Sequence, residues 1–281
     1  MREDILETKR EKLAKLTQQC GTAYPEKAKR THTAAEVLVQ FDTLNGIGKQ
    51  VSIVGRVRSL RVMGKIAFAH LEDGSGKMQG FFSVEALGEN QFQLLKDTLE
   101  IGDFLSISGT VFLTKQNEKS IRVEEWSMLS KSLLPLPAEF YGLKDEEQLL
   151  RRRYLDLVMN GETRELFRKK NMFWQTVRQF LSGKDFLEVQ TPVLEHTPGG
   201  AEAEPFVTHH NALGQDFYLR ISLELPLKRL LVGGYERVFE IGRVFRNEGI
   251  DREHLQEFDH MEFYSAYTDF ETGCAMVEDL Y

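Results

Sequence analysis

Residues 237–264 read RVFEIGRVFRNEGIDREHLQEFDHMEFY, two apolar-rich runs flanking a charged, glycine-opened segment from Gly249 to Gln256. The runs Arg237–Asn247 and Glu257–Ala266 predict two β-strands, and the polar insert predicts the loop of an antiparallel pair. On a strand alternate side chains share a face. Arg246 and Glu248 therefore point together on the way out, and Phe258, His260, Glu262 and Tyr264 point together on the return. If that face lines a pocket, it presents a fixed cation, an acceptor, an aromatic plate and a carboxylate beside a phenol. A guanidinium holds a phosphate in a fork and offsets charge that grows during attack on it. The plate stacks on a base, and Glu262 with Tyr264 suits an ammonium group. The plain alternative is a surface ion pair between Arg246 and Glu248, with Phe258 in the core.

Upstream, Glu146–Met159 and Glu162–Leu181 predict helices; in the second, Leu166, Phe173, Val177 and Phe180 recur at helical spacing and are assigned to the core. Ser182-Gly183 ends that helix, and Phe186–Pro192 predicts a strand halted by proline. Another strand is predicted at Phe217–Ile221. Leu134-Pro135-Leu136-Pro137 marks a linker, because X-Pro steps favour extended backbone. Before it lie five β-like runs: Val51–Arg61, Lys65–Leu71, Lys77–Ser83, Phe104–Phe112 and Ser120–Met128, with a helical segment Glu85–Leu99 after the third. That order is the order of an OB-fold barrel, whose face binds single-stranded nucleic acids. The N-terminus predicts a loosely amphipathic helix over Asp4–Gln19. A second helix is announced by the capping box Thr33-Ala34-Ala35-Glu36. The expected fold class is α+β: a helical extension at 1–45, a five-stranded OB-fold barrel at 46–132, a linker at 133–143, and an antiparallel sheet with flanking helices at 144–281.

The chain has 281 residues, 41% of them hydrophobic, enough for two packed domains. No run approaches the length of a membrane helix, and the charged opening Met1-Arg2-Glu3-Asp4 does not read as a signal peptide, so a cytoplasmic protein is expected. Two distant cysteines, Cys20 and Cys274, support neither a disulfide framework nor a zinc site. A net charge of −7 argues against gripping nucleic acid by overall charge, but residues 1–30 hold eight Lys/Arg against five Asp/Glu and residues 236–281 hold four against twelve. That asymmetry fits RNA contact at one end and a cation site at the other; charges solvating helix faces are the alternative. His209 and His210 are rejected as a metal pair because adjacent strand residues face opposite ways.

Phe245-Arg246-Asn247-Glu248-Gly249, then His254, Glu257-Phe258 and Glu262-Phe263-Tyr264, resembles motif 2 of class II aminoacyl-tRNA synthetases in its lysine-specific form. Phe186-Leu187-Glu188-Val189-Gln190-Thr191-Pro192 resembles motif 1, which in the family builds the dimer interface. Pro198-Gly199-Gly200-Ala201, Thr208–Leu213, Tyr218-Leu219-Arg220 and Leu223-Glu224-Leu225 match the lysyl rather than the aspartyl or asparaginyl form. Gly64-Lys65 to Phe68 and Arg153–Leu157 extend the resemblance over nearly the whole chain. It implies ATP-dependent activation of L-lysine and its transfer to tRNA(Lys) by a homodimer. Arg246 would be catalytic, touching the α-phosphate and the lysine carboxylate, with Glu248, His254 and Phe258 around adenine. Gly200 and Glu224 would meet the lysine α-amino group, and Glu262 and Tyr264 its ε-ammonium, since a buried unpaired ammonium is heavily penalised. In the barrel, Phe68 and Gln79 would stack on and hydrogen-bond anticodon bases, with Arg58 and Glu125 as weaker candidates.

The family's Arg-His-Asn-Pro-Glu run is replaced here by Glu253-His254-Leu255-Gln256-Glu257, which removes an amide and an arginine from the nucleotide loop; Arg252 is the nearest substitute. The resemblance further implies magnesium on ATP, held by carboxylates beyond this chain, and a glycine-rich motif 3 that nothing after Tyr264 supplies. The expectation is therefore a fragment or a truncated gene product. Two alternatives stand beside it: a non-catalytic tRNA-binding or dimerising module, and the related enzyme that lysylates a translation factor. The second lacks an anticodon-binding barrel, so residues 51–130 count against it.

Overall fold

The computed structural model describes residues 2–136, 145–251 and 253–281, and divides the chain into two compact units, Met1–Met159 and Asn160–Tyr281. The first opens with α1 (Arg2–Cys20), followed by α2 (Ala34–Val39) and α3 (Phe41–Ile47). The predicted capping box is present: the Thr33 side chain accepts from the Glu36 amide, and Glu36 reaches back to the Thr33 amide at 2.7 Å.

Five strands then close a barrel in the order β1-β2-β3-β5-β4: β1 (Gln50–Met63), β2 (Ile66–Glu72), β3 (Lys77–Ser83), β4 (Phe104–Leu113) and β5 (Lys119–Ser130). Each predicted strand falls on one of these, because inward positions are apolar; Val51, Ile53 and Val57 of β1 are all fully buried. The single helix expected at Glu85–Leu99 is two, α4 (Val84–Leu87) and α5 (Glu89–Thr98), broken at Gly88, whose φ of +77° no helix accommodates. Closure needs one tight spot: a Cβ on Gly109 would run into the Arg122 carbonyl, at a β4/β5 bulge.

Helix α1 is pinned to the barrel by an ion cluster. Fully buried Lys131 donates to Asp103 and, at 2.6 Å, to Glu100; Lys9 and Lys12 of α1 reach the same Glu100 at 3.2 and 3.0 Å. Burial works against ionisation of Glu100, but these three ammonium groups outweigh it and hold the carboxyl at about 2. Two short helices, α6 (Glu146–Arg151) and α7 (Arg153–Met159), occupy the expected helical segment. Residues 137–143 of the expected linker, and residue 144 after it, lie outside the described residues.

The second unit contains α8 (Gly161–Gly183), β6 (Leu187–Glu188), β7 (Leu194–Glu195), β8 (Val207–His210), β9 (Gln215–Leu219), α9 (Glu224–Val232), β10 (Arg237–Phe245), β11 (Glu257–Ser265) and α10 (Phe270–Leu280). Strands β10 and β11 form the predicted antiparallel pair, in register from Arg237↔Ser265 to Phe245↔Glu257, with β6 parallel on the other side of β10. A second sheet has the order β7-β9-β8.

One face of the first sheet packs Phe239, Ile241, Met261 and Phe263 against Val177 and Leu181 of α8 and Met276 and Leu280 of α10. The other packs Val238, Val244, Phe258 and Tyr264 against Leu223, Leu227, Leu230 and Leu231 of the α9 segment.

Two expectations are corrected. The strand expected over Phe186–Pro192 shrinks to two residues, because Pro192 has no N–H and the Thr191 amide donates to the Glu240 carboxylate at 3.1 Å. The stripe on α8 is only half core: Val177 is buried, whereas Leu166 and Phe173 are 64% and 55% exposed.

Candidate functional site

The β10–β11 face carries the predicted side chains into one neighbourhood, and a third segment, Ile221–Glu224, joins them. Glu262 accepts three hydrogen bonds: from the Ser222 hydroxyl at 2.8 Å and the Leu223 amide at 2.9 Å on Oε1, and from the Tyr264 hydroxyl at 3.1 Å on Oε2. Burial pushes the Tyr264 phenol well above its usual range, with the Glu262 and Glu224 charges adding to the shift, so it stays a donor. Ser222 also accepts from the Glu224 amide at 3.1 Å. Glu224 opens α9, where its carboxylate takes Lys228 at 2.6 Å. Gly200 lies against the same turn: a Cβ there would stand 2.8 Å from both Ser222 Oγ and Glu224 Cβ, and its φ is +88°. Only glycine brings the backbone that close.

Arg246 follows directly on β10. Its amide donates to Gln256 O at 2.9 Å, its Nε reaches Ile221 O at 3.4 Å, and its guanidinium carbon lies 5.3 Å from the centre of the Phe258 ring. The arginine is thus placed on the aromatic plate and the Ile221 carbonyl rather than in a surface pair with Glu248. Phe258 serves both readings, packed on the core beneath and carrying Arg246 above. Arg246, Glu248, His254 and Phe258 share the lining of one cavity of 280 Å³ with Leu255 and Gln256. Its loop is closed locally: Asp251 accepts from the Glu253 and His254 amides and the His254 ring, which lowers its pKa, while Gln256 donates to Gly249 O at 3.0 Å. Leu255 is exposed, and Arg252 lies outside the described residues.

Beneath the site runs a buried pair absent from the sequence reading. Arg220 donates to Glu240 at 2.6 Å and to the Arg243 and Thr191 carbonyls, and Thr191 Oγ1 donates to Glu240 at 2.6 Å. Gly242 makes room, since its Cβ would collide with the Arg220 guanidinium. His209 pairs with Asp216, whereas His210 packs on Phe217, so the two imidazoles take different partners. Among the described residues no group of three or more His, Cys, Asp or Glu is placed to hold a metal ion.

The barrel carries a second concavity, of 810 Å³. Phe68, Phe81 and Phe112 form its aromatic row, with ring centroids 5.2 and 5.6 Å apart and Arg122 over Phe112. Gln79 lines the same groove, its amide donating to Glu118 at 2.7 Å and accepting from Ser120 at 2.7 Å. Phe68 and Gln79 are therefore brought together. Arg58 and Glu125 lie outside the groove lining: Arg58 is paired with Glu72 at 3.0 Å on a nearly buried side, and Glu125 with Lys29 at 3.1 Å. The acid at the groove is Glu118.

Residues 145–281 match the model of the class II tRNA synthetases (D, K and N), and residues 51–129 that of the OB-fold nucleic acid binding domain. The chain belongs to the class II tRNA synthetases. It is 48% identical over 282 aligned residues to a lysine–tRNA ligase of Roseiflexus castenholzii, covering 99% of this chain and 58% of that protein. Lysine–tRNA ligases of Clostridium novyi and an Enterobacter species are 48% and 45% identical, over 90% and 98% of this chain and 49% and 55% of theirs. The chain thus spans about half the length of those relatives.

Ser222, the Leu223 amide, Glu118 and the Phe81–Phe112 pair are the groups that sequence reasoning missed. Glu118 lies just outside the predicted fifth strand. Ser222 sits between Tyr218-Leu219-Arg220 and Leu223-Glu224-Leu225 and reaches Glu262 only through the fold.

Proposed function

We propose that the full-length protein is a lysine–tRNA ligase that activates L-lysine with ATP and transfers it to tRNA(Lys). The observation that carries this reading is the Glu262 carboxylate, oriented by Ser222, Leu223 and Tyr264 on the same face as Arg246 and Phe258. A carboxylate at the end of a pocket is what selects a side chain ending in ammonium, because leaving that charge unpaired is costly. Glu262 and Tyr264 receive the ε-ammonium, Glu224 and the backbone at Gly200 receive the α-amino group, and adenine lies on Phe258 beside Glu248 and His254.

In the reaction a lysine carboxylate oxygen attacks the α-phosphorus, pyrophosphate leaves, and lysyl-adenylate forms. A hydroxyl of the terminal tRNA ribose then takes the lysyl group and AMP departs. Arg246 holds the α-phosphate and the attacking carboxylate together and offsets the charge that builds between them, so catalysis rests on positioning and electrostatics. Magnesium neutralises the ATP phosphates when bound; no residue of this chain is assigned to it. In the barrel, Phe68 stacks on an anticodon base and Gln79 bonds to a base edge. The cytoplasm, where tRNA is charged, is the matching location. Among the described residues no helix is long and apolar enough to cross a membrane.

Homodimerisation is proposed through the motif 1 side of the second unit. There α8 leaves Leu166, Phe167, Met172 and Phe173 exposed, and Leu187, Val193 and Leu194 are exposed as well. Lysine-dependent ATP–pyrophosphate exchange by the full-length protein tests the whole reading. Exchange supported by aspartate or asparagine in place of lysine overturns its specificity.

A further inference from the structure

We propose that His70 sets the reading geometry of the barrel groove: through Glu118 it fixes the orientation of the Gln79 amide, and so determines which base edge the groove accepts. The inference rests on the proposal that this groove takes anticodon bases.

Four side chains lie in one row across the barrel, since Ser59 pairs with His70, His70 with Gln79, and Gln79 with Ser120 in the strand registers. Glu118, just before β5, is bonded to the two middle members. Ser59 Oγ lies 2.7 Å from His70 Nδ1, His70 Nε2 lies 2.8 Å from Glu118 Oε1, Gln79 Nε2 donates to Glu118 Oε2 at 2.7 Å, and Ser120 Oγ donates to Gln79 Oε1 at 2.7 Å. The row adjoins the aromatic one, two residues along, where Phe68 pairs with Phe81. One strip therefore offers ring faces and the next offers hydrogen-bonding edges.

Proton inventory fixes the direction of the two bonds to Glu118. A carboxylate only accepts, so His70 Nε2 and Gln79 Nε2 both donate to Glu118. A primary amide turned over by half a rotation exchanges its donor for its acceptor and inverts what it offers a base. Glu118 and Ser120 together forbid that rotation here. They leave the second Gln79 N–H and the spare lone pairs of Glu118 for a ligand. Glu118 is 44% exposed, so burial does not hold its side chain. The His70 bond to its other oxygen does. His70 is thus a positioning residue, acting on a base through Glu118 and Gln79.

The test titrates the chain, by fluorescence anisotropy, against a synthetic stem–loop RNA carrying the lysine anticodon and against loops with each anticodon base replaced singly. His70→Leu, which has no donor, is expected to weaken the lysine loop about fivefold, the scale of one lost hydrogen bond. It is also expected to bring at least one replaced loop close to the lysine loop in affinity. His70→Gln places an N–H near the position of imidazole Nε2 and is expected to restore both affinity and discrimination; a purely structural histidine gives no such rescue of base preference. Ser59→Ala, milder, frees the ring and is expected to lower discrimination part-way, which keeps the test decisive should His70→Leu fail to fold. Unchanged discrimination in Ser59→Ala and His70→Leu, or a His70→Gln no better than the leucine variant, overturns the inference. Wild-type binding that ignores the anticodon bases overturns the groove reading itself, and the inference with it.

Discussion

Glu262 is bonded on both oxygens before any substrate arrives, so its position is set by the protein and its charge is what remains for a ligand. Replacing that charge while keeping the shape isolates its role. Glu262→Gln in the full-length protein is expected to raise the lysine KM in ATP–pyrophosphate exchange about tenfold, the cost of turning a charge-assisted bond into a neutral one, with the ATP KM nearly unmoved. An equal rise in both constants would place Glu262 in the architecture instead. Strand alternation made this face legible in the sequence: Phe258, His260, Glu262 and Tyr264 follow one another at every second position, and the register puts them on one side. What alternation does not reveal is the partner from elsewhere in the chain, such as Ser222 or the Leu223 amide. Nor does it rank acids near a strand end. The resemblance implied Glu125 as a weaker anticodon candidate; the β4/β5 bulge interrupts the alternation there, leaving both Glu124 and Glu125 exposed and Glu125 on Lys29, while Glu118 reaches Gln79 from the turn before β5.

At the level of elements, periodicity told which residues share a face and not what covers it. The α8 stripe is continuous from Leu166 to Phe180, yet α10 and the sheet reach only its second half. With Leu166 and Phe173 in solvent, Leu166→Asp with Phe173→Asp is expected to shift the full-length protein from dimer to monomer in sedimentation velocity while changing the melting temperature of the monomer little. A dimer that persists unchanged places the contact elsewhere. The α1–barrel junction adds charge to the buried Leu16, and no sequence pattern pairs Lys9 and Lys12 with an acid some ninety positions away. Glu100 is held at about 2 against an ordinary 4.5, so it binds fewer protons folded than unfolded. Its stabilising contribution is present above pH 4.5 and is lost as pH falls toward 2. Glu100→Gln is accordingly expected to lower the barrel's melting temperature at neutral pH and to flatten its decline through that acid window; parallel pH curves for variant and wild type would remove Glu100 from the account.

Over the whole molecule the two candidate sites belong to separate compact units with separate cores, and their chemistry is separable too. The barrel groove offers ring faces and hydrogen-bonding edges, which the proposed function assigns to bases; the second unit offers Arg246 and the Glu262–Glu224 acids, which it assigns to a nucleotide phosphate and an amino acid bearing an extra ammonium. Recognition of the RNA and activation of the amino acid should then fail independently. Phe68→Ala removes one stacking platform and is expected to weaken anticodon stem–loop binding about tenfold, a typical cost per stacked base, while lysine-dependent ATP–pyrophosphate exchange stays at the wild-type rate. Arg246→Ala is expected to do the reverse, cutting exchange by about a thousandfold through lost stabilisation of charge at the α-phosphate and leaving stem–loop affinity intact. Exchange needs no tRNA, so any fall in Phe68→Ala would mean that the barrel variant disturbs the second unit's fold. A loss of stem–loop binding in Arg246→Ala would instead make the second unit part of the anticodon-binding surface.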